Sequence, residues 1–347
     1  MSGGAGSRLW PLSTRRAPKQ FHALQDGGTL IQETAIRTRS SGDLQFNPPI
    51  IVCNESHVAT AQEQLRAIGV EPALVIAEPF GRNTAAVAAL AAQVVQRLSP
   101  GSVILLMPAD HIIGDLEAFQ RAVRLATTGA EDGRIVTFGI QPSRAETGYG
   151  YIQAGTLIST GLHEIGGFHE KPTSKVAEDF LQSGHYLWNG GIFAFRPEVM
   201  IEEVARWLPE LGAAAGAVLS AATTECDVLY LPQTEMAACP SVSIDVAVME
   251  QTSRGAVVPV DMRWADVGSW SEVWRLAEKD AEGNVSRGPV RLIDSRDCLV
   301  WSETTPVAII GMTGVSVVAT AEGLLVLPTE LAQRAREAAD AFSEPAP

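Results

Sequence analysis

Cysteine is scarce in this chain, and no two cysteines stand at the spacing of a zinc or redox site. The four cysteines are scattered, and each is predicted to be a small buried apolar side chain: Cys53, Cys226, Cys239 and Cys298. Long apolar runs are also missing, since no stretch approaches the roughly 18 residues that span a bilayer. The first ten residues lack the apolar segment of a secretory signal. We therefore expect a cytoplasmic protein with no membrane partner.

The chain also has few positively charged residues. The 347 residues include 26 lysines and arginines against 40 aspartates and glutamates, which gives a formal net charge of −14. Such an acidic surface repels phosphate backbones, so we expect no nucleic-acid partner. An anionic small-molecule substrate would need a local basic site, built from a few arginines, lysines or a metal ion.

The chain does contain a regular alternation of apolar runs and helical patterns. Runs at 49–54, 73–77, 103–107 and 135–140 predict buried strands, and the stretches 57–68, 84–98 and 116–128 predict helices. This alternation indicates an α/β fold, Rossmann-like, with a mostly parallel sheet and helices on both faces. Such sheets bind ligands at the carboxyl ends of their strands, where polar clusters fall at 78–83 and 108–111.

The second half of the chain is predicted to complete this domain and to add a smaller one. A long helix is predicted from residue 198 to about residue 222. The Gly-Asn-Val at 283–285 predicts a hinge, followed by short β-rich runs and a closing helix over 330–342. We therefore expect a large domain over residues 1–280 and a small β-rich C-terminal domain over residues 284–347.

Glycine and positive charge are concentrated at the N-terminus. Gly3, Gly4 and Gly6 fall within four residues, so backbone N–H groups can approach phosphate oxygens closely. Arg8 and Lys19 add positive charge where a triphosphate would lie. The stretch is neither a Walker A loop, because no Gly-Lys-Ser/Thr follows, nor a dinucleotide fingerprint. A glycine-rich turn normally follows a strand, and we expect that first strand to be missing from this chain.

The stretch GSRLWPLSTRRAPKQF (6–21) resembles the signature of sugar-phosphate nucleotidylyltransferases, and specifically their mannose-1-phosphate guanylyltransferase branch. Further motifs follow in that family's order: AEPFGRNTAA (77–86), MPADH (107–111), TGYGYI (147–152), EKP (170–172), WNGGIF (188–193), SIDVAVME (243–250) and WADVGSW (264–270). The resemblance covers about residues 1–320 and implies the nucleotide-diphospho-sugar transferase fold. It is to the short, monofunctional form, so we expect no sugar-isomerase activity.

The resemblance also implies which residues hold each ligand. Asp110 and Asp266 would hold Mg²⁺, which takes one or two carboxylates together with phosphate oxygens and water. Arg8 and Lys19 complete the implied catalytic set. The residues implied to bind the nucleotide are Gly3, Gly4, Gly6, Ser7, Arg82, Asn83 and Thr84, the last three beside the base. Those implied to bind the sugar phosphate are Gly148, Tyr149, Glu170, Lys171, Asn189 and Asp245.

The implied activity is transfer of GMP from GTP to α-D-mannose 1-phosphate, giving GDP-mannose and pyrophosphate by in-line displacement at the α-phosphorus. We expect neither a general base nor a covalent intermediate, because the attacking phosphate is already ionised. Two alternatives stay open: a guanylyltransferase for another sugar 1-phosphate, such as a heptose, and a catalytically silent homologue that binds GDP-mannose. A homodimer is expected, as family members often form one.

Overall fold

The computed structural model describes residues 6–342, so Gly3 and Gly4 of the predicted phosphate site lie outside the described residues. The strands of the larger, N-terminal part are β1 (Ile50–Asn54), β2 (Leu74–Glu78), β3 (Ile104–Leu106), β4 (His111–Ile113), β5 (Ile135–Ile140), β6 (Tyr151–Ser159), β7 (Leu162–His169), β8 (Tyr186–Phe195), β9 (Thr223–Glu225), β10 (Val228–Tyr230), β11 (Gly255–Pro259) and β12 (Trp264–Asp266). Its helices are α1 (Leu30–Ile36), α2 (Val58–Ala67), α3 (Asn83–Leu98), α4 (Leu116–Glu131), α5 (Ser174–Ser183), α6 (Pro197–Trp207), α7 (Pro209–Ala221), α8 (Gln233–Ala238) and α9 (Trp270–Leu276).

Two sheets form the framework of this part. The first has the order β1-β2-β10-β9, in which β1, β2 and β10 are parallel. The second has the order β3-β8-β5-β11-β7-β6, in which only β5 and β11 are parallel. The parallel pairs and their helices confirm the predicted α/β class. The second sheet is more mixed than expected, because β6 turns back into β7 at Gly161 and both pair antiparallel with their neighbours.

Helices cover both faces of the second sheet. The alanine-rich α3 packs together with α6 and α7, and its Leu90 shares an apolar cluster with Phe193 and Phe195 of β8. On the other face Phe119 of α4 stacks on Phe138 of β5, with ring centroids 6.2 Å apart. The second sheet therefore lies between two layers of helices.

The long helix predicted from residue 198 to about 222 is instead two helices, α6 and α7. The break falls at Leu208, whose φ of −144° and ψ of 61° leave the helical region. Pro209 follows at the first position of α7, where its missing N–H costs no hydrogen bond. The apolar periodicity runs through this break and hides it, so the proline was the better guide to the helix boundary.

The C-terminal part is built from coils of short strands. They are β13 (Val285–Arg287), β14 (Val290–Ile293), β15 (Leu299–Ser302), β16 (Val307–Ile310), β17 (Val315–Thr320) and β18 (Gly323–Pro328), and α10 (Ala335–Phe342) follows them. Strands β13, β15 and β17 pair in parallel, as do β14 and β16, so successive coils stack on one another. Cys298, Val300 and Val317 fill the interior. The β-rich C-terminal domain expected from the sequence is thus confirmed.

Candidate active site

A short ribbon that the sequence did not predict brings the two candidate carboxylates together. Strands β4 and β12 pair antiparallel, with Asp266 directly opposite His111. Asp110 immediately precedes His111 in the chain, so its side chain lies beside that of Asp266. Strands of three residues have too little periodicity to be recognised in a sequence.

Lys19 lies between these carboxylates. Its Nζ is 3.0 Å from Oδ2 of Asp110 and 2.9 Å from Oδ1 of Asp266, and the residue is only 4% exposed. Burial alone would lower the pKa of Lys19, but the two carboxylates outweigh it and hold the pKa above its ordinary value. Despite its own burial, Asp266 has a pKa lowered to about 2, chiefly because Lys19 is adjacent. The ammonium of Lys19 and the carboxylate of Asp266 are therefore charged at neutral pH.

His111 supports this group from behind. The indole Nε1 of Trp264 donates a hydrogen bond to Nδ1 of His111 at 3.1 Å, so Nδ1 is an acceptor and the proton of the neutral ring lies on Nε2. That nitrogen is 4.0 Å from Asp110 and 3.9 Å from Asp266. Burial lowers the pKa of His111 even though the two aspartates act in the opposite direction. We interpret His111 as a neutral side chain that packs behind the two carboxylates.

The donor set suits a cation that takes most of its ligands from elsewhere. Within residues 6–342 no cluster of three or more His, Cys, Asp or Glu side chains is arranged to hold a metal ion by itself. Two carboxylates do converge on one point, the ammonium of Lys19, and each retains over a quarter of its exposure to solvent. Mg²⁺ is commonly bound by one or two carboxylates, with phosphate oxygens and water as the other ligands. Asp110 and Asp266 therefore fit this ion.

The N-terminal turn lies against the same group. Gly6 has a left-handed φ of 57°, and a Cβ there would lie 2.6 Å from Ser13 Oγ and 2.9 Å from Lys19 Cβ. Only glycine fits this position. Ser7 and Arg8 follow in a 3₁₀ turn. The Arg8 side chain runs beside Gly268 and donates from Nη1 to Gln333 Oε1 of the C-terminal part at 3.1 Å.

The segment predicted to lie beside the base has structural contacts of its own. Arg82 donates from Nε to Met236 O at 3.1 Å and from Nη2 to Ala237 O at 2.7 Å. Asn83 has a left-handed φ of 64°, and its Oδ1 accepts from the N–H of Thr84. Thr84 Oγ1 in turn accepts from the N–H of Ile244 at 2.9 Å. These side-chain contacts tie the start of α3 to Met236, Ala237 and Ile244.

The candidate sugar residues form a second polar group. Asn189 donates from Nδ2 to Asp245 Oδ1 at 2.7 Å and accepts from Thr137 Oγ1 at 2.8 Å. Burial, followed by the charge of Glu170, raises the pKa of Asp245 to about 7. Lys171, which has a left-handed φ of 44°, pairs with Glu170 at 3.0 Å. Asp245 itself begins a π-helical turn over Asp245–Met249, an uncommon form that often occurs at functional sites.

An aromatic bridge joins the sugar group to the aspartate pair. The ring of Tyr149 meets those of Trp188 and Trp264 edge-on, with centroids 5.3 Å apart in both cases. Trp264 is also in edge contact with His111. Gly148, the residue before Tyr149, donates its N–H to Glu146 Oε1 at 3.1 Å. These ring contacts link Trp188, which precedes Asn189, to His111, which follows Asp110.

Sequence reasoning missed one residue of this region and recognised a second only as a member of a polar cluster. Thr137, inside β5, orients the amide of Asn189, and an isolated threonine in a strand carries no signal of such a role. Glu78 ends β2 as a buried carboxylate, and its Oε1 has no hydrogen-bond partner among the described residues. Its place at the end of the apolar run ALVIAE put Glu78 in the polar cluster at 78–83, but gave it no role of its own.

Comparison with known proteins gives consistent matches over nearly the whole chain. Residues 1–283 match the model of the nucleotidyl transferase family, and residues 288–340 match that of the MannoseP isomerase/GMP-like beta-helix domain. The chain is 40% identical over 346 residues to the alginate biosynthesis protein AlgA of Pseudomonas putida, covering 99% of this chain and 71% of that protein.

Two further relatives agree. The chain is 40% identical over 343 residues to the mannose-1-phosphate guanylyltransferase of Klebsiella pneumoniae, covering 98% of this chain and 72% of that protein. It also superimposes on the crystal structure of mannose-1-phosphate geranyltransferase from Thermus thermophilus with a TM-score of 0.85 and 33% identity, covering 99% of this chain and 97% of that one.

Proposed function

This chain belongs to the nucleotidyl transferase family, and from that membership we propose that it transfers GMP from GTP to α-D-mannose 1-phosphate, releasing GDP-mannose and pyrophosphate. The Klebsiella relative, named for the enzyme of that reaction, supports the choice of substrates. One observation carries the chemistry: Asp110 and Asp266 converge on the buried ammonium of Lys19, beside the glycine turn.

Like charges make this reaction difficult, because a phosphate oxygen of the sugar must approach a triphosphate. Asp110 and Asp266 would hold Mg²⁺, which when bound neutralises phosphate charge and helps to align the two reactants. Lys19 and Arg8 offset the charge that builds up on the triphosphate as pyrophosphate leaves. The backbone N–H groups around Gly6 would orient the phosphates at no cost in side-chain entropy.

The sugar side of the site positions the nucleophile. Asn189 and the carboxylates of Glu170 and Asp245 offer acceptors and donors for hexose hydroxyls, and Lys171 would offset the charge of the sugar phosphate. A sugar that leaves one of these half-buried groups unpaired would lose about 1–3 kcal/mol of binding. No proton transfer is needed in the displacement, because the attacking phosphate is ionised at neutral pH.

We propose that the protein acts in the cytoplasm as a homodimer, on small molecules alone. No helix in the described part of the chain is long and apolar enough to cross a bilayer, and the net charge of −14 disfavours nucleic acid. Apolar side chains are exposed on the C-terminal strands, among them Ile310 at 64% and Leu324 at 62%. They support self-association through that part.

The reaction is tested by offering Mg²⁺, mannose 1-phosphate and each of the four nucleoside triphosphates separately, and measuring pyrophosphate release. We expect release with GTP, its loss in EDTA, and a loss of at least about 100-fold in Asp110→Asn. Asp132→Asn, which changes an exposed aspartate after α4, is the matched control and should leave the rate unchanged. Silence with GTP in the wild-type protein would refute the proposal.

A further inference from the structure

Arg37 is a buried cation without a carboxylate beside it. It lies at the C-terminal end of α1, it is 7% exposed, and it forms no ion pair with any described residue. Arginine is almost never fully buried unless it is paired. Burial lowers the pKa of Arg37 to about 10, and the charge of Glu33 acts in the opposite direction. The fold therefore holds a guanidinium at a position where its burial is costly.

The guanidinium of Arg37 joins two elements through their backbone carbonyls. Its Nε donates to Glu33 O at 3.3 Å, within α1, and its Nη2 donates to His111 O at 3.1 Å, in β4. The carbonyls at the C-terminal end of a helix favour a positive charge, which offsets part of the cost of burial. Arg37 thus connects α1 to the residue that directly follows Asp110.

Helix α1 also packs against the segment that carries Lys19. One apolar cluster contains side chains of α1, of the 3₁₀ turn that Lys19 begins, and of the residue before Asp110. Its members in these three places are Ile31, Ala35, Phe21 and Ala109. The helix therefore lies between the lysine and one of its two carboxylates, and it contacts the neighbours of both.

Strand β4 needs outside support because it belongs to neither large sheet. It pairs with β12 alone, and both strands have only three residues. Two-stranded ribbons are marginally stable by themselves. At the far end of β4, the N–H of Gly114 donates to Met262 O at 3.1 Å. At the end next to Asp110, the backbone is held from outside the ribbon by the hydrogen bond from Arg37.

We propose that Arg37 is a positioning residue of the metal site, which holds Asp110 in place beside Asp266. This inference rests on the proposed function, in which these two carboxylates hold Mg²⁺. Arg37 acts through the backbone of His111, so its removal would let the end of β4 shift and the two carboxylates move apart. Groups that orient metal ligands from outside typically contribute about 10–100-fold to metal affinity or activity.

The test measures how strongly Mg²⁺ tightens the binding of GTP, which needs no turnover. Titration calorimetry on the full chain gives the dissociation constant of GTP in EDTA and in Mg²⁺, and the ratio of the two measures the contribution of the metal. We expect Arg37→Met to lower this ratio at least about tenfold relative to wild type. Arg37→Lys keeps the charge but not the fork that reaches both carbonyls, so its ratio should stay at least about threefold below wild type.

Arg39→Met is the matched control, because Arg39 also donates to a backbone carbonyl, Ile68 O at 2.8 Å, but is exposed and does not contact β4. Val204→Ala, which truncates a buried side chain of α6, shows the effect of lost stability alone. Both should keep the wild-type ratio. Circular dichroism checks that each variant is folded, and if Arg37→Met is not, the ratio of Arg37→Lys decides.

Four outcomes would overturn the role of Arg37. They are an unchanged ratio in Arg37→Met, full recovery in Arg37→Lys, an equal fall in Val204→Ala, and a wild type whose GTP binding does not respond to Mg²⁺. Failure of the proposed reaction would appear separately, as absent pyrophosphate release with an intact difference between wild type and the Arg37 variants.

Discussion

The ammonium of Lys19 holds together two carboxylates that would otherwise repel each other. Lys19→Met removes this charge and the contact to phosphate, so we expect kcat/KM for GTP to fall at least about 100-fold. Lys175→Met, at an exposed lysine of α5, should leave kcat/KM unchanged. Steady-state pyrophosphate release measures both. A fall of less than about threefold in Lys19→Met would contradict the role given to this residue.

Glu78 gives a second prediction for a single residue, which concerns how the stability of the fold changes with pH. Its folded pKa of about 7 lies above the ordinary 4.5, so the native state binds the proton more tightly than the unfolded state. The stabilisation is fully present below about pH 4.5 and is lost as the pH rises through about 7. One pKa unit corresponds to about 1.4 kcal/mol. The unfolding free energy of Glu78→Gln, relative to that of the wild type, should therefore rise by on the order of 2–3 kcal/mol from pH 5 to pH 8.

Urea unfolding at the two pH values measures this difference, with Glu71→Gln as the variant expected to follow wild type. Parallel pH dependences of wild type and Glu78→Gln would show that Glu78 is not held as an unpaired carboxylate. A gain would show that the buried carboxylate of Glu78 costs stability when it ionises.

At the scale of elements, the N-terminal turn depends on Gly6. In Gly6→Ala the methyl group would press on Ser13 and on Lys19 Cβ, so we expect Lys19 to be displaced and kcat/KM to fall at least about tenfold. Gly69→Ala is a matched control, because Gly69 has the same left-handed conformation, with a φ of 71°, and open space around it. Gly69→Ala should lose about 1 kcal/mol of unfolding free energy through backbone strain alone, and Gly6→Ala should lose more because of its clash. Only Gly6→Ala should lose activity; equal activities would exclude the steric argument.

The helices and strands also show how much of the structure could be predicted from the sequence. The strands and helices of the first 140 residues follow from apolar periodicity, since β1, β2, β5, α3 and α4 lie where the pattern predicts them. The turn around Gly6 and Lys19 was identified by composition. The contact of Lys19 with Asp266 spans 247 positions, and no local pattern encodes it. The resemblance to a known family supplied Asp110 and Asp266 as a pair, while the short β4–β12 ribbon that joins them appeared only in the structure.

At the scale of the whole molecule, the two parts share a core. Leu9, Trp10 and Leu12 of the N-terminal turn lie in one apolar cluster with Val318 and Leu325 of the C-terminal strands. A further contact is the stack of Phe342 on Trp10, with ring centroids 5.4 Å apart. The C-terminal coil therefore supports the turn that carries Arg8.

This shared core predicts that the molecule unfolds as one unit. Activity, tryptophan fluorescence and circular dichroism should be lost at the same urea concentration in the wild type. Leu325→Ala, which truncates a side chain 7% exposed in the shared cluster, should cost about 2–4 kcal/mol and shift all three transitions together. Val317 lies in the separate interior of the C-terminal coil. Val317→Ala should also shift all three transitions together if the two parts unfold as one unit. If activity were lost at a lower or a higher urea concentration than the two structural signals, the two parts would unfold independently.

The pairing of β4 with β12 has a further consequence, for the order in which the native state is reached. Residues 111 and 266 must meet before the two carboxylates and Lys19 can form their group. Contacts so distant along the chain carry a large loop-closure entropy and form slowly. During synthesis the N-terminal turn and Asp110 leave the ribosome before Asp266, so the lysine has at most one of its two anionic partners until Asp266 emerges. The catalytic centre is therefore among the last features of this molecule to assemble.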